Sequence, residues 1–167
     1  VTRQKLGGTN LNYHQFNQLA VLPPETYSHS TLWDREISLQ EWIIPRVLEL
    51  VYAAWDLKPF AQDCGYDGPP FIWNENRRFH LRSELDAAFF HLYGLNRDEV
   101  AFVMDTFPIT RRKDEATHGS YRTKDAILAV YDAMAEAIQT GKAYQTSLEP
   151  APASPECCHP VMEGPKA

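Results

Sequence analysis

The side chains in this sequence with the types to do chemistry lie in a few places. Cys157-Cys158-His159 sets three metal-ligating residue types in a row. Structural zinc sites pair a C-x2–4-C spacing with a second ligand pair elsewhere, and adjacent cysteines rarely share one ion. The only further cysteine is Cys64, so these read as tail residues and no metal is expected. His80, His91 and His118 each carry an imidazole that could act as a general base. No Ser or Cys nucleophile on a glycine-flanked turn accompanies them, and His91 reads as a boundary residue beside an apolar helix stripe. Glu84 with Asp86 and Asp98 with Glu99 read as solvated faces and caps, not as carboxylates paired for acid–base work. No catalytic residue is assigned.

Two stretches invite a cofactor or base-handling reading and lack the atoms for it. Gly7-Gly8-Thr9 has no following Lys and Ser/Thr, so it is read as a turn and not a phosphate loop. Gly68-Pro69-Pro70-Phe71 has the outline of an Asn/Asp-Pro-Pro-aromatic loop. There a side-chain acceptor meets the target amine and the ring stacks on a flipped base. Gly68 has no side chain to accept with, and Asp67 lies one position too early.

Positive charge gathers in one place. Between residues 111 and 124, Arg111, Arg112, Lys113, Arg122 and Lys124 face only Asp114 and Glu115, in a chain of net charge -6. Arg77-Arg78 form a smaller pair just ahead of a helix. Arginine's planar fork suits phosphate, and Thr117 and Tyr121 could add hydrogen bonds. The plainer reading is a solvated loop whose cations pair with nearby acids. Both stand at this point.

The elements that must carry these residues are helical. Ser38 and Glu41 form a capping box, with Pro45 expected to interrupt and restart the helix. Leu48, Val51, Tyr52 and Trp55 fall on one face, and Lys58-Pro59 should end it. Trp73 is expected to anchor on the core. Leu81, Leu85, Ala88, Phe89 and Leu92 make a second stripe, closed by Gly94. Asn96 with Glu99 caps a third helix bearing Val100, Val103, Met104 and Phe107, which Pro108 stops. These two helices make an αα-hairpin. Residues 109–122 are expected as a basic loop, with Thr123 capping a last helix through Ile127, Tyr131, Met134 and Ile138 to Gly141. The fold class expected is mainly α: an irregular or partly extended arm at 1–36, a helical domain at 37–144 and a Pro-rich flexible tail at 145–167.

With 167 residues the chain can bury one core. Three cysteines make no disulfide framework, so reduced thiols and a cytoplasmic location are expected. No apolar run approaches a membrane span. The chain opens on Val1 without an initiator Met and reads as a piece of something longer.

Several blocks in fixed order carry a resemblance. They are Gly7-Gly8-Thr9-Asn10-Leu11-Asn12-Tyr13, Gln18-Leu19-Ala20-Val21-Leu22-Pro23-Pro24, Arg46-Val47-Leu48-Glu49-Leu50 and Leu81-Arg82-Ser83-Glu84-Leu85-Asp86-Ala87. His91-Leu92-Tyr93-Gly94, Asp105-Thr106-Phe107-Pro108-Ile109, Arg111-Arg112-Lys113-Asp114-Glu115 and Tyr121-Arg122-Thr123-Lys124 complete the set. Over residues 1 to 145 the chain resembles the C-terminal region of large bacterial N6-adenine DNA methyltransferases of restriction-modification and phage-defence systems, the type IIG-like restriction-methylases. It departs at Ala20, where that family often has proline. The resemblance implies a parent protein that uses S-adenosylmethionine to methylate adenine in DNA. The cofactor and Asn-Pro-Pro-Tyr motifs would lie upstream, so no cofactor is expected in this chain. The segment would be non-catalytic and target-recognition-associated, partnered by the upstream methyltransferase domain and, through the parent, by DNA. Arg111, Arg112, Lys113, Arg122 and Lys124, with Arg77 and Arg78, are the phosphate contacts this reading offers. The rival is a scaffold that docks on the catalytic domain or on a nuclease or helicase partner without touching DNA.

Overall fold

The computed structural model describes residues 20–160. Among them six α-helices carry the fold: α1 (Leu39–Val51), α2 (Lys58–Asp63), α3 (Glu75–Leu92), α4 (Arg97–Asp105), α5 (Pro108–His118) and α6 (Arg122–Thr140). Short 3-10 turns occupy Pro24–Ser28, Trp55–Leu57 and Pro155–Cys157, and the only β pairing among the described residues is two isolated bridges, Ser30 with Ser38 and Phe71 with Cys158. The fold is mainly α, as periodicity predicts.

α1 starts at its capping box. The Glu41 amide donates to Ser38 Oγ at 3.2 Å, and the Ser38 amide donates to Glu41 Oε2 at 2.7 Å. These bonds satisfy two of the N–H groups that every helix start leaves open. Pro45 does not divide the helix. Leu39, Trp42 and Ile43 before it and Arg46, Leu48 and Glu49 after it are all buried, so packing on both sides holds the turn through the missing backbone donor. The expected continuation to Trp55 is absent. Tyr52 leaves helical geometry, Trp55 is half-exposed, and Pro59 sits in the first turn of α2 instead of closing a helix.

Asn74 caps α3, accepting from the Arg77 amide at 3.0 Å, and Asn96 with Glu99 forms the second capping box, at α4. Residues 93–96 join α3 to α4, with Gly94 in the left-handed region at φ 69°. Both helices pack on α6, and α3 with α6 is the most extensive pairing. The main core gathers Trp33, Leu39, Trp42, Ile43, Ala87, Ala88, Val100, Met104, Ile127, Tyr131 and Met134. Leu85 and Phe89 pack at its margin, half-buried, and Val103 is half-buried. A smaller cluster of Leu48, Tyr52, Ala61 and Phe71 lies beyond the end of α1.

Three further expectations are corrected. Residues 109–118 are helix α5, not loop. Pro108 starts this helix, its fixed φ being suited to the first turn. Arg111 and Glu115 pair at i,i+4, and Gly119 at φ 75° closes the end by donating to the Glu115 carbonyl. Trp73 does not anchor on the core; it is 58% exposed, its Nε1–H donating to Glu75. Residues 145–160 are not a flexible tail. Leu148 is buried, and the Ile72 and His159 amides donate to the Cys157 and Pro70 carbonyls at 2.8 Å.

The arm divides too. Residues 1–19, including Gly7-Gly8-Thr9, lie outside the described residues, as do 161–167. Trp33, assigned by position to the arm, is a core residue, set edge-on to Trp42 at 4.9 Å. No helix among the described residues is long and apolar enough to cross a membrane.

Candidate interaction surface

The seven cations offered as phosphate contacts do not form one patch of free charge. Arg77 is largely buried. Its guanidinium donates through Nε and Nη2 to the Glu49 carboxylate, and Nη2 also donates to the Ala151 carbonyl at 3.1 Å. Arg78 donates to the Leu50 carbonyl at 2.8 Å and lies over the Trp73 ring at 3.5 Å. Arg122 donates to Asn76 Oδ1 at 2.6 Å and lies over Phe79 at 4.0 Å. Lys124 donates to both Asp105 oxygens at 2.8 Å. These four hold α3 to α1 and the C-terminal strap, and α6 to α3 and α4.

The other three lie together on α5, which has no buried residue. Arg111 donates to Glu115 at 2.7 Å, Arg112 reaches only the Pro108 carbonyl at 3.3 Å, and Lys113 has no hydrogen bond or ion pair among the described residues. Asp114 is occupied elsewhere: its Oδ2 accepts from the Thr123 amide at 2.6 Å. Thr123 is therefore not the cap of α6. A carboxylate from the preceding helix does that work, favoured by the positive end of the helix dipole. The open corner between α4 and α5 holds a cleft of about 340 Å³ lined by Thr106, Phe107, Pro108, Ile109, Thr110, Lys113 and Asp114.

The strongest electrostatic feature is one that the sequence does not announce. Glu84, read as solvated, is 1% exposed. It accepts from Arg46 Nε at 2.7 Å, Tyr144 Oη at 2.8 Å and Thr146 Oγ1 at 2.5 Å. Arg46 in turn donates to the Trp42 carbonyl and stacks on the Trp42 ring at 3.5 Å. Burial pulls the Arg46 guanidinium down against the raising effect of Glu84, and burial beside Glu84 pushes the Tyr144 phenol up. Glu49 is a parallel hub, accepting from Arg77 and from the Ala153 amide at 2.9 Å. The signal lies in α1: Arg46 and Glu49 continue the Leu39, Trp42, Ile43 stripe, where a solvated charge has no place.

No catalytic constellation forms among the described residues. His91 stacks on Tyr131 at 3.9 Å and donates from Nε2 to the Tyr131 carbonyl at 3.0 Å; burial lowers its pKa. His80 packs edge-on to Phe79, and His118 ends α5 in solvent. Cys158 Sγ lies 3.1 Å from Tyr66 Oη, while burial pushes the Cys157 thiol up. Among the described residues no three His, Cys, Asp or Glu side chains converge to hold a metal. Phe71 is fully buried and stacked on Tyr66, so it has no face for a base. A Cβ at Gly68 would meet Tyr66 Oη at 2.3 Å.

Comparison with family models, with curated proteins and with solved structures finds no match to this chain.

Proposed function

We propose that this chain is a non-catalytic segment of a cytoplasmic, S-adenosylmethionine-dependent DNA N6-adenine methyltransferase of the restriction-modification or phage-defence kind. Within it the segment serves as a helical scaffold, docking on the catalytic domain or on a nuclease or helicase partner. The ordered sequence blocks support the family. The disposition of the cations carries the scaffold reading: Arg77, Arg78, Arg122 and Lys124 are spent on protein acids, carbonyls and rings. A phosphate clamp keeps such forks open for bidentate bonds. Cofactor and base then belong to upstream parts of the parent, which also supply the DNA contact.

One observation favours DNA engagement by the segment itself. Arg111, Arg112 and Lys113 are exposed on one helix, and the Arg111–Glu115 pair is solvent-screened, so a phosphate can displace it. Duplex binding by the whole gene product against salt concentration separates the two readings. The scaffold predicts an unchanged salt slope for Arg111→Ala/Arg112→Ala/Lys113→Ala. A clamp predicts a slope smaller by about one unit for each phosphate left unneutralised, equally for all sequences.

A further inference from the structure

A scaffold needs a face left uncovered by its own fold, and we infer that the α4–α5 corner is a docking surface for a protein segment with apolar side chains flanked by carboxylates. This rests on the scaffold reading and names its partner's chemistry. Phe102 is 71% exposed and Ile109 63%. Phe102 lies one turn before Thr106, which lines the cleft. Ile109, Arg112, Lys113 and Ala116 follow at i, i+3, i+4 and i+7, so the two cations with no acid partner share a face with the exposed isoleucine. Phe107, Pro108 and Ile109 give the cleft an apolar floor, and Lys113 gives it a positive wall. Asp114, also in the lining, is turned onto the Thr123 amide and makes no ion pair with Lys113.

Charge complementarity chooses the occupant. An apolar centre with a charged rim is the anatomy of a protein interface, where buried anchors give affinity and rim charges give orientation. Duplex DNA offers phosphate to Lys113 and Arg112 but nothing to Phe102 and Ile109, which would stay wet. A partner carboxylate beside leucine- or phenylalanine-like anchors answers both.

Hydrogen exchange tests this on the 167-residue chain alone and on the whole gene product. Amides of 109–113 are expected to exchange readily in the chain alone, because α5 has no buried residue, and to slow about tenfold in the gene product. Lys113→Glu should abolish most of that slowing and Lys58→Glu none. A benzoylphenylalanine at position 109 should crosslink to a segment with Asp or Glu beside apolar residues. Unchanged exchange at 109–113 overturns the proposal; if residues around Trp55 and Ile72 slow instead, the scaffold reading survives without it. Slowing at 109–113 only when duplex DNA is added assigns α5 to DNA and also overturns it. No slowing anywhere removes the scaffold reading as well.

Discussion

Glu84 shows how one side chain changes meaning with its surroundings. Its carboxylate is buried with three donors around it, one of them cationic. Removing one partner of a buried ion pair leaves the other charge without solvent, which costs about 3–5 kcal/mol. Glu84→Ala is expected to lose that much in denaturant unfolding. Tyr144→Phe, which keeps the pair, should lose less, about 1.5–3 kcal/mol. Equal losses would mean that the ion pair adds nothing beyond one hydrogen bond. His91 gives a second residue-scale prediction. Burial disfavours its imidazolium, opposed in part by the Tyr131 carbonyl and Asp132, so its pKa falls below the ordinary 6.5. The unfolded chain therefore binds the proton more readily. Stability from this group is complete above about pH 6.5 and falls as pH drops toward the lower folded value. Wild type should lose stability between about pH 7 and 5 faster than His91→Gln; parallel profiles would count against it.

At the scale of elements, the short-range signals are the readable ones. Ser38 with Glu41 and Asn96 with Glu99 act within one turn, and both capping boxes are present. Ser38→Ala should cost about 1 kcal/mol. The α5 helix is not legible because its composition is polar and Pro108 can end one helix or begin the next. What decides is Gly119, which closes α5 at φ 75°. A Cβ there meets nothing within 4 Å, so Gly119→Ala tests backbone conformation alone, with an expected loss of about 1–2 kcal/mol in thermal or denaturant unfolding. An unchanged midpoint would show that α5 frays at that end. The pairing within the buried hubs is illegible for a different reason. Glu84 meets Arg46 across 38 residues, and Arg77 meets Glu49 across 28, distances at which a sequence pattern holds no pairing information. The same gap hides the candidate surface: that four of the seven cations are spent inside the fold follows only from partners remote in sequence.

For the whole molecule, the decisive segment is the C-terminal strap. A proline-rich stretch reads as unfolded because it makes little regular structure, yet this one is held from outside. The Tyr144 amide donates to the Trp33 carbonyl at 2.8 Å, Tyr144 and Thr146 bond Glu84, Leu148 is buried, and Ala151 and Ala153 meet Arg77 and Glu49. Phe71 and Cys158 bridge at its far end. The strap thus supplies donors that two buried carboxylates of α1 and α3 would otherwise lack. Hydrogen bonds to charged groups are worth about 1.5–3 kcal/mol each, against a total stability of about 5–15 kcal/mol for an ordinary domain. A chain ended after Gly141 is therefore expected to lose cooperative unfolding or most of its stability, whereas one ended after Pro160 keeps every contact named here and should unfold with wild-type slope and midpoint. Far-ultraviolet circular dichroism in a urea series distinguishes the outcomes. If the chain ended after Gly141 unfolds like the chain ended after Pro160, the strap is a passenger, and Glu84 and Glu49 must take their remaining donors from water; if only the shorter chain fails, the bundle and the strap are one folding unit.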